Sequence, residues 1–384
     1  MSCPVCKRPA DAPFVHIAGV PVHVSQLHTT PSGARTARRG DLQLAFCAGC
    51  GFIWNVAFDA ALVEYDAAYE NSLDHSRAFT DYANGLAQRL VERYDVRGRR
   101  VAEIGCGQAE FLRALCNAGH NRGFGYDPTY VGDDSDPRIT IRRELYSEET
   151  VGDLEPEFVC CRHVLEHLEQ PLAFVRSLRR TLSAERAATV YVEVPNGTHQ
   201  LLNGVVWDMI YAHYATYTEP SLRTLFELGG FEILDSGAAF GDQYLWLEAR
   251  PTDAPVPDAP SADLDAVRAA VERFAAGYSG FVGDWRRRVD GLRTQGRRVV
   301  LWGAGAKGVS LLNSLEDHDA IARVVDVNPR KHGTYVPGAG TPVVSPEALR
   351  AFSPDVVVLA NPIYRDEVRG ILAELGQSAE ILCV

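Results

Sequence analysis

The chain has 384 residues, enough for two or three domains with a core each, and it is 46% hydrophobic with a formal net charge of −12. That negative balance argues against a nucleic-acid groove or an anionic membrane surface as partner, and no apolar run reaches the length of about 18 residues that a membrane span needs. Nine cysteines is an odd number, with Cys160, Cys161 and Cys383 inside strand-like apolar runs. A disulfide framework is therefore not expected. The start, Met1 to Cys6, has neither the basic head nor the apolar stretch of a signal peptide, so the expected location is cytoplasmic.

The first fifty residues carry two Cys-x-x-Cys turns, Cys3-Pro4-Val5-Cys6 and Cys47-Ala48-Gly49-Cys50. Two such knuckles supply four thiolates for a tetrahedral zinc, and four protein ligands leave no position for a reactive water, so the expected site is structural. The alternative is four independent thiols, and His16, His23 or His28 could stand in for a cysteine. The stretch between the knuckles reads as loop, sparse in apolar residues. A tyrosine-bearing segment around Tyr65 and Tyr69 follows, then a helix from Ser76 to Tyr94. Tyr69 stands just ahead of the next strand, where it could lie over a site mouth or simply pack.

Val101 to Ile104 reads as a buried strand that stops at Gly105-Cys106-Gly107, after which a helix opens. Strand, glycine turn and helix bring backbone N–H groups close to a bound nucleotide. A dinucleotide fingerprint wants a third glycine where this chain has Glu110, and a pyrophosphate disfavours a carboxylate there. The turn is therefore read as holding a nucleoside without phosphate. The next strand, Gly123 to Tyr126, ends in Asp127, placed to accept hydrogen bonds from ribose hydroxyls.

Glu103-x-Gly105-x-Gly107 with the later Asp127 resembles the class I S-adenosylmethionine-dependent methyltransferases. The resemblance implies that Glu103, Gly105, Gly107 and Asp127 bind S-adenosylmethionine. Phe158 to Cys161 is a further strand, leading into His163-Val164-Leu165-Glu166-His167. In that family this segment closes one side of the cofactor pocket, which adds His163 to the cofactor residues. The acid directly precedes the second histidine instead of following the first, so a zinc-protease reading is rejected, and His167 is read as packing.

Thr189 to Pro195 is another buried strand, ending at the sheet edge where α/β ligand sites form. The segment Trp207 to Tyr217 then sets Tyr211, Tyr214 and Tyr217 around His213, ahead of a helix opening at Glu219. His213 is either a base or a histidine buried among aromatics. Phe231 to Leu234 and Tyr244 to Ala249 read as closing strands, Arg250 to Ser261 as a linker, and Asp263 to Leu292 as a long amphipathic helix.

A further α/β unit follows. Strand Val299 to Trp302 leads into Gly303-Ala304-Gly305-Ala306-Lys307-Gly308, which keeps the third glycine and adds a lysine, as suits a phosphate at a helix N-terminus. The alternative is a degenerate unit with an empty pocket. Strands Ala322 to Asp326 and Asp355 to Ala360 follow, and Asn361 and Tyr364 would face the same edge.

Knuckles, methyltransferase core and this glycine unit on one chain resemble the three-domain sugar C-methyltransferases. The likeness extends to Asp326-Val327-Asn328-Pro329, Val336-Pro337-Gly338 and Pro342 to Glu347. It implies an α/β fold with a zinc-binding domain (1–60), a class I Rossmann-like core (61–250) and a C-terminal Rossmann-like substrate domain (263–384). It further implies C-methylation at C3 of a nucleotide-linked 4-keto deoxysugar, a small-molecule partner. His213 would be the base with Tyr211 and Tyr69 beside it, and Gly303, Gly305, Lys307, Asn361 and Tyr364 would hold the nucleotide sugar. The family has a glutamate directly before its histidine; here Ala212 fills that place. Three rivals stay open: an O- or N-methyltransferase of the same build, an NAD-dependent oxidoreductase using the second glycine loop, and a non-catalytic zinc-tethered scaffold.

Overall fold

A computed structural model describes residues 1–63, 70, 72–132, 135–152, 154–182, 188–255 and 264–384. Tyr65, Tyr69 and the second half of the expected linker, residues 256–261, lie outside these residues.

The N-terminal stretch is not the loop that its composition suggests. It forms β1 (Val15–Pro21), a short helix α1 (Pro31–Arg35), β2 (Arg39–Phe46) and β3 (Ile53–Asn55), with antiparallel pairing from β1 to β2 to β3. Thr30 caps α1 through a hydrogen bond accepted from the Gly33 N–H, so the Pro31-Ser32-Gly33 run starts a helical turn. Few apolar residues suffice because Val15, Leu42, Leu44 and Phe46 pack into a core shared with the rest of the chain.

Next come α2 (Arg77–Arg93), β4 (Arg100–Ile104), α3 (Glu110–Gly119), β5 (Arg122–Tyr126), β6 (Ile139–Arg142), α4 (Glu148–Val151), β7 (Phe158–Arg162), α5 (Pro171–Arg180), β8 (Thr189–Pro195) and α6 (Gly197–Leu202). The short strand β9 (Ala215–Thr216), then α7 (Glu219–Leu228), β10 (Phe231–Ala239) and β11 (Tyr244–Pro251) complete the central unit. Its sheet has the order β10-β11-β8-β7-β4-β5-β6, parallel from β8 to β6 and antiparallel where β11 meets β8 and β10. Strand β4 lies between β5 and β7, so the chain order reverses at β4 and opens a crevice at its carboxyl end. The expected closing pair is present, and β11 runs to Pro251, two residues into the expected linker.

Helix α8 (Asp265–Thr294) presents Val267, Ala270, Val271, Phe274, Val282, Trp285, Val289 and Leu292 as its buried stripe. It leads into β12 (Val299–Trp302), α9 (Ala306–Ser314), β13 (Arg323–Val325), β14 (Val343–Val344), α10 (Leu349–Phe352), β15 (Val356–Leu359), α11 (Arg365–Glu374) and β16 (Glu380–Cys383). The sheet is all parallel in the order β14-β13-β12-β15-β16. Here the third glycine has a steric reason: a Cβ on Gly308 would sit 1.9 Å from the Gly303 carbonyl oxygen, whereas one on Gly305 would meet nothing within 4 Å.

The three sheets do not have separate cores. One apolar cluster joins Leu42 to Phe46 of β2, Leu201 to Ile210, the α8 stripe, and Val299, Leu301 and Val324 of the C-terminal sheet. Strand β9, inserted after the His213 segment, pairs with β3 and so belongs to the N-terminal sheet instead of the central one.

Candidate functional site

The glycine turn after β4 is built as a cradle. Gly105 and Gly107 have φ of +68° and +52°, and a Cβ on Gly105 would come 2.3 Å from Val164 Cγ2. Only glycine lets this turn and the segment after β7 close on each other. The Asp127 carboxylate accepts the Gly107 N–H at 2.9 Å and the Thr129 N–H at 2.8 Å, which ties the end of β5 to the turn. Glu103 is 3% exposed and its Oε2 has no hydrogen-bond partner. Burial pushes its carboxyl up to about 8. A backbone cradle, an acid at the next strand end and an orphaned buried carboxyl oxygen fit a nucleoside carrying an amino acid, as S-adenosylmethionine does.

Across the carboxyl edge from Glu103 lies a buried ionic cluster that the sequence does not announce. Glu193 of β8 is fully buried and accepts from Arg162 Nε at 2.9 Å, from Tyr191 OH at 2.8 Å and from Tyr82 OH. Burial alone would raise its carboxyl; Arg162 and His163 hold it well below the usual range. His163 has φ of +54°, strained for a residue with a side chain, and its ring lies 3.3 Å from Glu193 and 3.6 Å from Glu166. Burial would lower this imidazole, yet the two carboxylates raise it to about 9, so His163 is a pinned cation at neutral pH. The available signal was a single charge inside an apolar strand, as in Val-Tyr-Val-Glu-Val.

His213 is half-buried and packs its ring edge-on against His167 with centroids 5.0 Å apart. His167 is not a mere packing residue: its Nδ1 lies 2.8 Å from the Ala212 carbonyl oxygen, which ties the His213 segment to the loop after β7. Burial first, then the neighbouring His167, lowers the His213 imidazole to about 4, so it is neutral and able to accept a proton at physiological pH.

Tyr211, expected beside the base, is placed otherwise. It is 1% exposed, stacks on Phe58, and its hydroxyl oxygen accepts the Asp59 N–H at 2.8 Å. It anchors the segment to the N-terminal unit.

In the C-terminal unit the expected substrate residues meet the central unit. Lys307 Nζ is 2.7 Å from Asp208 and 3.2 Å from Gln243 Oε1. Asn361 and Gln243 exchange amide hydrogen bonds of 3.0 and 2.9 Å. Tyr364 sits by Phe240, Gly303 has φ of +106° to start the loop, and Gly305 precedes α9. Asp326, at the end of β13 where a dinucleotide ribose would bind, accepts from the Ala304 and Asn328 N–H groups and lies 3.4 Å from the buried Lys331 ammonium.

The four knuckle cysteines come together. Cys3 and Cys50 sulfurs are 3.6 Å apart, Cys6 and Cys47 3.5 Å, and all four lie within 4.8 Å of one another. A tetrahedral zinc with Zn–S near about 2.3 Å needs sulfur separations of roughly 3.8 Å. Lys7 and Gly51, which follow the two knuckles, both take positive φ.

The Glu103 carboxyl gives a pH test. Its folded value lies above its unfolded value near 4.5, so its contribution to stability is full below that pH and lost as pH rises through about 8. Urea unfolding of the cofactor-free protein is expected to show wild type losing ground to Glu103→Gln between pH 5 and 8.5. A constant difference across that window would mean that the carboxyl ionises normally.

Residues 75–236 match the model described as "Methyltransferase domain", and residues 262–382 match "C-methyltransferase C-terminal domain". The C-methyltransferase NovU of Streptomyces niveus is 27% identical over 305 residues, covering 74% of this chain and 71% of that protein. Among solved structures, the Burkholderia thailandensis 1,6-didemethyltoxoflavin-N1-methyltransferase with S-adenosylhomocysteine is 17% identical, covering 46% of this chain and 82% of that one at a TM-score of 0.36. The Synechocystis PCC 6803 magnesium protoporphyrin IX methyltransferase with the same ligand is 18% identical over 48% and 89% of the respective chains at 0.37. No helix among the described residues is long and apolar enough to cross a membrane. With a methyltransferase domain over residues 75–236 and a C-methyltransferase C-terminal domain over residues 262–382, the chain is an S-adenosylmethionine-dependent methyltransferase.

Proposed function

We propose that this C-methyltransferase acts at C3 of a nucleotide-linked 4-keto deoxysugar through an enolate, with His213 as the base. The observation that carries the reading is the His213 ring packed on His167 of the loop that closes on Gly105, in a chain that also matches a C-methyltransferase C-terminal domain.

S-adenosylmethionine, when bound by Glu103, Gly105, Gly107, Asp127 and the loop at His163, supplies an electrophilic methyl group. The chain's own work is to make and hold the nucleophile. A C–H bond beside a ketone is acidic enough for a neutral imidazole, and a positioned base of this kind contributes roughly 10²- to 10⁴-fold. With the Tyr211 hydroxyl bound to Asp59, the enolate oxygen is assigned to backbone N–H groups or to Tyr69. The larger task is orientation, and the modules that grip the His213 segment serve it. Lys307 is assigned to the diphosphate, giving up Asp208 when it does so. Cys3, Cys6, Cys47 and Cys50 are assigned to a structural zinc.

The test is incubation with S-adenosylmethionine and a panel of nucleotide 4-keto deoxysugars, followed by mass and NMR analysis. The expected product carries a new carbon-bound methyl at C3; a methyl on oxygen or nitrogen would replace this reading with the rival. In the same assay Lys307→Ala is expected to raise KM for the nucleotide sugar about tenfold or more, as loss of a charged phosphate contact does. An unchanged KM removes Lys307 from the site.

Metal analysis is expected to find one zinc per chain, lost together with stability in Cys47→Ser. A fully folded zinc-free protein would contradict the assignment.

A further inference from the structure

Glu166 is the least explained charge near the site. Its side chain is 2% exposed, and only one of its oxygens has a partner in view: Oε1 lies 3.6 Å from His163 Nδ1. Oε2 is buried with no hydrogen-bond partner. A buried carboxylate oxygen left bare costs about 1–3 kcal/mol or more, so its retention calls for a reason. The reason is close by. A carboxylate oxygen of Glu166 and one ring nitrogen from each of His167 and His213 all lie within 4.8 Å of one another. Burial would protonate Glu166, but the adjoining His163 holds its carboxyl below the usual carboxylate range, so it stays ionised.

We infer that Glu166 is the positioning carboxylate of His213: from the loop after β7 it orients the imidazole and stabilises the imidazolium that forms when the base takes a proton. This rests on the assignment of His213 as base. In the step concerned the substrate C–H bond breaks, its electron pair stays on the substrate as enolate, and an N–H bond forms on His213. Glu166 keeps its charge throughout. Ala212, the neighbour of His213 in sequence, has only its carbonyl directed at His167 and brings no carboxylate, so the acid has to come from another wall.

The groups facing His213 fix the sign of the effect. His167 and the cationic His163 disfavour the imidazolium; Glu166 and Asp208, the latter at the start of the segment, favour it. Removing the Glu166 charge therefore lowers the imidazole further and weakens the base, while leaving the Lys307 and Asn361 side of the site in place. A carboxylate that only supported the fold would change stability without moving His213.

Three variants and one titration test this. Glu166→Gln is expected to lose about tenfold or more in kcat, with KM for the nucleotide sugar within about twofold of wild type and the acid limb of the rate profile moved to lower pH. Glu166→Asp is expected to keep part of the activity. Glu166→Ala with Ala212→Glu, which moves the carboxylate to the other wall, is expected to recover most of what Glu166→Ala alone loses. Should Glu166→Gln fold poorly, nitrogen-labelled histidine in the wild-type protein and in Glu166→Asp still reads the His213 imidazole directly. A full-rate Glu166→Gln, or a His213 titration indifferent to residue 166, overturns the proposal. The titration needs no sugar. A coupled pair with no carbon-methylated product would therefore fault the substrate assignment and not the pair.

Discussion

Two residues of strand hold the site together. Ala215 pairs with Trp54 and Thr216 with Ile53, and just upstream the Asn55 N–H donates to the Tyr214 carbonyl at 2.9 Å. These bonds stitch the end of the His213 segment to an N-terminal sheet that lies 160 residues away in sequence. The same segment is gripped elsewhere by His167 on the Ala212 carbonyl, by Asp59 on Tyr211 and by Lys307 on Asp208. Met209 and Ile210 sink into the core shared with α8 and the C-terminal sheet. A segment with only two residues of regular strand would by itself be mobile; contacts from three units give it one conformation. This assigns a use to the knuckle unit. Its sheet edge is covered by the chain that carries the base, so stability at the cysteines is transmitted to the site.

The second constraint is electrostatic. Arg162, His163, Glu166 and Glu193 are charged and largely removed from water at the carboxyl edge of the central sheet. Buried ion pairs seldom repay their desolvation against an apolar alternative, so such a cluster is weak support for stability as such. Its value lies in fixed geometry. Arg162 stacks over Phe111 of α3 at 4.2 Å and pairs with Glu193, which binds Tyr82 of α2; the cluster thus spans the helices and strands that border the cofactor cradle. Prearranged charge of this kind needs no reorganisation when charge develops on a substrate.

How much of this the sequence discloses depends on the range of the forces involved. Short-range signals were readable: glycine at positive φ, an acid at a strand end, paired cysteines and apolar runs locate β4, β5, the knuckles and the C-terminal glycine loop. Glu110 in place of a third glycine, and Gly308 with its clash against Gly303, separate two turns that look alike on paper. Long-range pairings were not readable. The sequence treats the first fifty residues as poor in core because their apolar partners, such as Phe274 and Trp285 of α8, lie more than two hundred residues away. Tyr211 was expected at the site from the resemblance to a family with a tyrosine just before its histidine, whereas here its hydroxyl oxygen accepts the Asp59 N–H. Glu166 was seen only as part of the segment that closes the cofactor pocket, with no role of its own, because nothing in sequence brings residue 166 to residue 213.

The account comes down to whether the imidazole of His213 removes a proton from carbon. Proton NMR of a nucleotide 4-keto deoxysugar in heavy water, with enzyme and S-adenosylhomocysteine but no methyl donor, measures that step alone. The expected result is enzyme-dependent loss of the C3 proton signal, abolished in His213→Ala while cofactor binding is retained. Exchange that persists undiminished in His213→Ala would contradict it.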